Sequence, residues 1–242
     1  MNILHKTSYI TIPHPALSIE RVGISITRMV HNASVRMCLC LMLCLTALAS
    51  CSEEDTTVNE YDDWKARNET YFEQQYNLAQ SKIDAGDTSW KMIRVYTKNY
   101  ASTVHTDYVI AHVISQTESH NEWDGSYSGE QPEYTDSVQV HYRGNLMPSA
   151  SYTNGYQFDS SWIGDYNLQT MLPSNLLMSD NVVGFSSTLM QMHVGDRWEI
   201  IIPYQLGYNT TETTGVPAYS TLHFDLTLQA IGKPGKTLPI AR

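Results

Sequence analysis

Three runs of alternating apolar residues in the second half of this 242-residue chain constrain its fold more than any other feature. In Val138-Gln139-Val140-His141-Tyr142 the apolar side chains fall on one face of an extended strand. Trp198, Ile200 and Ile202 repeat the pattern. So do Leu222, Phe224, Leu226 and Leu228, leaving Thr221, His223, Asp225 and Thr227 to face the other way. Between these runs the period changes. From Gly184 to Val194, Phe185, Leu189 and Met192 recur at helical spacing, and Gly195 closes the segment. Strands with one greasy face around a single short helix predict an α+β fold in which the sheet buries that helix.

The chain before these strands is of a different kind. All four cysteines lie early, at Cys38, Cys40, Cys44 and Cys51. The first three sit in an apolar run from Met37 to Ser50, behind Arg36, too short for a comfortable membrane span and of the length of a secretory signal core. The run ends Leu48-Ala49-Ser50-Cys51, which resembles a bacterial lipobox, where cleavage precedes a cysteine that is then acylated. Residues 1–50 are therefore expected to be signal peptide and upstream sequence, with Met29 or Met37 a more natural start than Met1. A chain beginning at Cys51 has no second cysteine and so no internal disulfide. Losing residues 1–50 removes four bases and one acid, leaving 24 acids against 11 bases and a net charge of −13. That balance excludes nucleic acid as a partner, since phosphates require a basic patch. It also makes acyl chains, rather than charge, the expected means of membrane attachment. Ser52-Glu53-Glu54-Asp55 fits either a solvated acidic tether or the acidic export signal of surface lipoproteins. The expected location is thus the outer membrane, facing the periplasm or the cell surface.

Residues 51–60 read as that tether, and residues 61–117 as an N-terminal helix and strand extension. Phe72, Tyr76, Ala79 and Ile83 form one helical stripe, Trp64, Tyr71 and Leu78 a neighbouring one, and Gly86 supplies the stop. A stripe this short predicts packing against a domain, with dimerisation through the helix as the minority alternative; oligomeric state stays open. Asp107 to Ile114 is strand-like, and Glu118 to Glu133 is rich in Gly, Ser and acids, as in an exposed loop. The main domain spans 118–232, and residues 233–242 form a tail expected to contribute little.

Several short blocks stand in a fixed order along that domain. They are Val138-Gln139-Val140-His141-Tyr142-Arg143-Gly144, Phe158-Asp159-Ser160-Ser161, Val183-Gly184-Phe185, Met192-His193-Val194-Gly195-Asp196, Pro203 to Tyr208, and Val216 to Asp225. In order and spacing, about residues 134–231 resemble an FKBP-type peptidyl-prolyl cis-trans isomerase. The resemblance implies a curved antiparallel sheet wrapped around the short helix, and a pocket of aromatic side chains that holds a proline ring. It implies no cofactor or metal, and proline-containing polypeptides as substrates. Carried over residue by residue, it makes Tyr142 and Phe158 wall residues, Asp159 the polar group at the pocket edge and Phe185 the floor. Val182 would offer its backbone N–H and Tyr208 its hydroxyl to substrate carbonyls, while Val216 and Phe224 complete the lining. Asp159, Tyr208, Phe158 and Phe185 are the candidate catalytic residues, and Tyr142, Val182, Val216 and Phe224 the candidate substrate contacts.

The chain departs from the family pattern in places. An insertion carrying Asn154-Gly155 separates Leu146 from Phe158, and the stretch Trp162 to Asp180 is long. One aromatic wall residue of the family falls near Ser174 or Leu176, so that wall is either missing or supplied by Tyr166. Asn209 replaces a usual glycine, a change that left-handed backbone tolerates. The nine histidines include His105, His112 and His120, which lack a His-Glu-x-x-His frame and read as surface or packing residues. Three functions are compatible with this reading: a lipid-anchored isomerase assisting folding of envelope or exported proteins, a non-catalytic FKBP-like binding or chaperone module anchored to the outer membrane, and a structural lipoprotein assembling through its helix. Fold likeness alone does not separate them.

Overall fold

The structure is a computed structural model that describes residues 59–116, 130–236 and 238. The expected signal, Cys51, the tether up to residue 58, the loop 117–129 and most of the tail lie outside the described residues. The elements are α1 (Trp64–Asp84), β1 (Trp90–Arg94), β2 (Tyr108–Ser115), β3 (Ser137–Leu146), β4 (Gln157–Ser160), β5 (Ser174–Leu177), α2 (Val183–Leu189), β6 (Arg197–Ile202) and β7 (Leu222–Gly232). Short 3-10 turns precede β2, α2 and the loop after β6.

The described strands form one antiparallel sheet in the order β1-β2-β6-β7-β3, and the far edge of β3 is shared by two short strands. There β5 pairs with Ser137 to Val140 and β4 with Arg143 to Asn145. This is the α+β architecture expected from the alternating runs. The register shows why the alternation is strict. Phe224 lies opposite Gly144 and Ile200, and Leu226 opposite Tyr142 and Trp198, so one face of three adjacent strands carries the apolar set. A register shift opposite Gln139 and Val140 leaves Gln229 as an extra residue on β7 and bends that strand. The concave face closes over α2, whose Phe185 and Leu189 join Met192, Trp198, Ile200 and Leu226 in the main core.

The opposite face of the sheet is covered as well. α1 lays Phe72 and Ala79 on Ile110 of β2 and Ile201 of β6, making a second apolar cluster. Burying Phe72 to 2% exposure contributes about 1.5–3 kcal/mol. Of the two predicted stripes, Trp64, Phe72 and Ala79 are buried, Tyr71, Tyr76 and Ile83 are half-buried, and Leu78 is exposed. The fourth buried residue of the helix is Asn68, which no apolar pattern reveals. Gly86 ends the helix at φ 87°, where its N–H bonds to Ile83 O at 2.9 Å and the N–H of Asp87 to Lys82 O at 3.0 Å. This is the reciprocal C-terminal cap that glycine permits.

The start of the tail contributes more than its composition promised. Lys233 Nζ lies 2.9 Å from Asp136 Oδ2 and 3.0 Å from Glu130 Oε1. Asp136 is fully buried at the start of β3, where its Oδ2 also accepts the N–H of Glu133 at 2.7 Å.

Candidate functional site

The gap on β3's edge between β5 and β4 falls at Tyr142, and it is filled by the segment leaving β4. Ser161 N–H donates to Tyr142 O at 2.8 Å, and Tyr142 N–H donates to Ser161 Oγ at 2.9 Å. The phenol of Tyr142 projects from the concave face and donates to Asp159 Oδ2 at 2.7 Å; Asp159 Oδ1 accepts the N–H of Ser160 at 2.8 Å. The exposed carboxylate is therefore fixed from two sides. Burial, then the hydrogen bond and negative charge of Asp159, push the Tyr142 phenol well above the usual tyrosine range, while the Ser174 hydroxyl opposes this. At neutral pH the phenol is protonated and serves as the donor to Asp159.

Phe224 of β7 lies at the centre of the site. Its ring centroid is 5.1 Å from Phe185, 5.6 Å from Phe158 and 6.3 Å from Tyr142, all edge-to-face, and Tyr142 stands 6.3 Å from Phe185. Edge-to-face geometry aligns each ring's positive rim with its neighbour's negative face. Phe185 and Phe224 are 4% and 6% exposed, and Phe158 and Tyr142 are half-buried, so the cluster presents a shallow apolar floor with polar groups at its rim.

The remaining predicted residues stand around this floor. Val182 is the residue immediately before α2, half-buried, and its carbonyl accepts from Phe185 and Ser186. Its own N–H donates to no protein group among the described residues. Tyr208 follows the turn Tyr204–Leu206 and is 38% exposed. Burial of its hydroxyl end and the charge of Asp159 raise its phenol as well. Val216 is 2% exposed within the main core. The loop from Thr210 to Gly215, whose shape the sequence left open, is a tight turn. Thr213 and Val216 exchange backbone hydrogen bonds of 2.9 and 3.0 Å across it, with Gly215 at φ 75°. Asn209 takes the left-handed conformation at φ 57°, as its residue type allows.

Two residues stand apart from this group. Tyr166 does not supply the missing wall, because it lies on the convex face. Its hydroxyl is 2.9 Å from Thr227 Oγ1, and the Arg197 guanidinium stacks 3.6 Å from its ring. Thr227 and Arg197 belong to the face opposite Phe224, so the excursion after β4 turns outward over the sheet edge. Gly144 was part of the recognised β3 block but was given no role. A Cβ there would lie 2.5 Å from Phe158 Cζ and 2.7 Å from Phe224 Cε1, so only a bare backbone lets the two rings meet across β3. An isolated glycine inside a strand pattern is the signal that could have found it. Among the described histidines, His105 stacks on Tyr76 and pairs with Glu73, His112 stacks on Trp90, and His141 is buried within β3, while His120 lies outside the described residues.

Residues 128–229 match the family model described as FKBP-type peptidyl-prolyl cis-trans isomerase. Among curated proteins, the macrophage infectivity potentiator of Trypanosoma cruzi is 35% identical over 106 residues, covering 43% of this chain and 48% of that protein. An FKBP-type isomerase, FkpA, of Buchnera aphidicola is 34% identical over 91 residues, 38% of this chain and 33% of the relative. The 22 kDa FKBP-type isomerase of Escherichia coli is 33% identical over 101 residues, 41% and 43% respectively. The chain thus spans less than half the length of these relatives. A solved structure of FkpA from Escherichia coli aligns with TM-score 0.47 at 18% identity, over 90% of this chain and 74% of that one. The sequence matches support membership of the FKBP-type isomerase family for this domain.

Proposed function

We propose, on the premise of that family placement, that the domain is a peptidyl-prolyl cis-trans isomerase acting on X-Pro bonds of polypeptides. Rotation about such a bond breaks amide resonance against a barrier of about 18–20 kcal/mol. No covalent bond to the protein, cofactor or metal is required. The protein need only bind the twisted imide more tightly than either planar form. The observation that carries the reading is the Tyr142–Asp159 pair at 2.7 Å on the rim of a floor made by Phe185, Phe224 and Phe158. A prolyl ring laid on these edges loses water, and the less dipolar twisted imide tolerates that loss better than the planar amide. In this reading the Val182 N–H and the Tyr208 hydroxyl take substrate carbonyls, orienting the chain on either side of the proline. Asp159 gives the rim a negative charge, which Tyr142 and the Ser160 amide hold in place.

An isomerisation assay on an Ala-Leu-Pro-Phe peptide tests this, with a macrolide inhibitor as the pocket probe. Asp159→Ala and Tyr208→Phe are each expected to lower turnover while the domain stays folded. Full activity in both removes the role assignments, and no acceleration by the unaltered protein removes the function. The near-complete burial of Phe185 and Phe224 favours a second reading, in which the floor grips chains without useful turnover. Peptide binding without rate acceleration would select it.

The lipobox at Cys51 supports attachment of this isomerase to the outer membrane through acyl chains, in service of envelope or exported clients. No described helix is long and apolar enough to cross a membrane. Cys51→Ser is expected to abolish labelling by radioactive palmitate and release the protein from the membrane fraction; unchanged labelling refutes the anchor.

A further inference from the structure

Between β6 and β7 the chain runs from Pro203 to Thr221, and this segment delivers both Tyr208 and Val216 to the site. Its middle is clasped by an unusual pair. Asn209 and Tyr219 both have left-handed backbone, at φ 57° and 63°, and the Tyr219 N–H donates to Asn209 O at 2.8 Å. Asn209 N–H in turn donates to Tyr204 O at 2.8 Å. A bulky residue such as tyrosine is strained in this conformation and persists there only when its surroundings enforce it.

α1 supplies that enforcement, from a distance of some 150 residues along the chain. At one end of the segment the Tyr204 hydroxyl donates to Glu69 Oε1 at 3.1 Å. At the other end Trp64 Nε1–H donates to Ser220 Oγ at 2.9 Å, in a buried contact. Ser220 Oγ passes the bond on to Pro217 O at 2.6 Å. The Thr221 N–H donates to Asn68 Oδ1 at 2.7 Å, while Asn68 Nδ2 is anchored on Trp64 O at 2.7 Å. Asn68 is 0% exposed, so its carboxamide is committed to this task and cannot exchange its partners for water. The strained tyrosine itself is held by an edge-to-face contact with Tyr204 at 5.3 Å and by Lys65 of α1 above its ring at 5.7 Å.

We infer that α1 is part of the isomerase machinery of this chain: Asn68 and Trp64 are positioning residues that hold the Tyr208–Val216 side of the pocket in place. The inference rests on the proposed isomerase reading for its catalytic consequence, but its structural content stands apart. Neither residue is itself part of the aromatic floor. They act through Ser220 and Thr221, which directly follow Tyr219 of the strained clasp.

The test uses Asn68→Ala, Trp64→Phe, Ser220→Ala and the double variant Trp64→Phe/Ser220→Ala, read by amide hydrogen exchange and by isomerase kinetics well below the melting temperature. Exchange across residues 208–221 is expected to accelerate at least about tenfold in each variant, while β3 and β7 keep the protection of the parent. The catalytic efficiency is expected to fall about threefold to tenfold with no loss of folded protein, and the double variant to be no worse than Ser220→Ala alone, since that change already removes the bond from Trp64 together with the one to Pro217 O. A merely structural helix would lower the melting temperature and leave turnover and loop exchange untouched in the folded fraction; that result overturns the inference. Should Asn68→Ala lose protection everywhere, the milder Ser220→Ala and Trp64→Phe decide. A parent protein without isomerase activity refutes the isomerase reading alone, because loop exchange still decides the role of α1.

Discussion

Gly144→Ala isolates the packing on which the candidate site depends. The added methyl carbon would lie 2.5 Å from Phe158 Cζ and 2.7 Å from Phe224 Cε1, where carbon atoms normally rest about 3.5–4.0 Å apart. The backbone raises no objection, because Gly144 is not among the positive-φ glycines. Replacing glycine by alanine in a strand gains about 0.5–1 kcal/mol from lost unfolded-state freedom. Overpacking a close-packed cluster costs about 1–3 kcal/mol. The net loss is then at most about 2.5 kcal/mol, a fall in melting temperature of up to about 10 °C for a domain of this size. Catalysis should suffer more than stability. Phe224 also touches Phe185 and Tyr142, so it cannot retreat without moving the floor. A displacement of about 1 Å in a site that works by orientation can cost on the order of a hundredfold. Thermal unfolding and the peptide isomerisation assay are run together, and Phe158→Leu is added to make room for the methyl. The double variant is expected to recover the melting temperature relative to Gly144→Ala, with a coupling that shows the two groups collide. Parental stability and turnover in Gly144→Ala would refute the idea that bare backbone at this position joins the rings.

Further outcomes follow from other contacts. Lys233→Met leaves the buried Asp136 carboxylate without its cation, and should cost about 2–3 kcal/mol in urea unfolding, below the usual 3–5 because Lys233 stays 38% exposed; an unchanged midpoint would show the tail to be dispensable. Tyr166→Phe removes the hydrogen bond to the nearly buried Thr227 and should cost about 1 kcal/mol with turnover unaltered, whereas a large fall in turnover would return Tyr166 to the pocket wall. Burial lowers the pKa of His141 and His223 below the usual 6.5, so below that value the unfolded chain binds protons that the folded chain refuses. Stability is therefore expected to be level above about pH 6.5 and to decline as pH falls below it. His141→Gln should flatten that decline in denaturant midpoints between about pH 8 and 5, and an equally steep decline would assign it to other groups.

What the sequence disclosed and what it hid divide along one physical line. Wherever a segment buries one whole face, its period is legible: Leu222 to Leu228, Trp198 to Ile202 and Val138 to Tyr142 all lie where their alternation put them, around the helix that carries Phe185 and Leu189. β4 and β5 have four residues each and half-covered faces, so no period could announce that they divide one edge of β3 between them. That division matters, because it opens the gap at which Tyr142 meets Asp159. Asn68 was hidden for a related reason: a polar residue on an apolar helical stripe is read as an interruption, whereas its full burial shows it to be a connector whose partners lie at the far end of the chain. Gly144 and Asn68 thus share a property that patterning cannot express. Each is placed by what must approach it from a distant segment, the rings of Phe158 and Phe224 in one case and the amide of Thr221 in the other. The residues proposed to touch a prolyl substrate stand out by type and order. The residues that bring them within reach of one another become visible only when the sheet is closed.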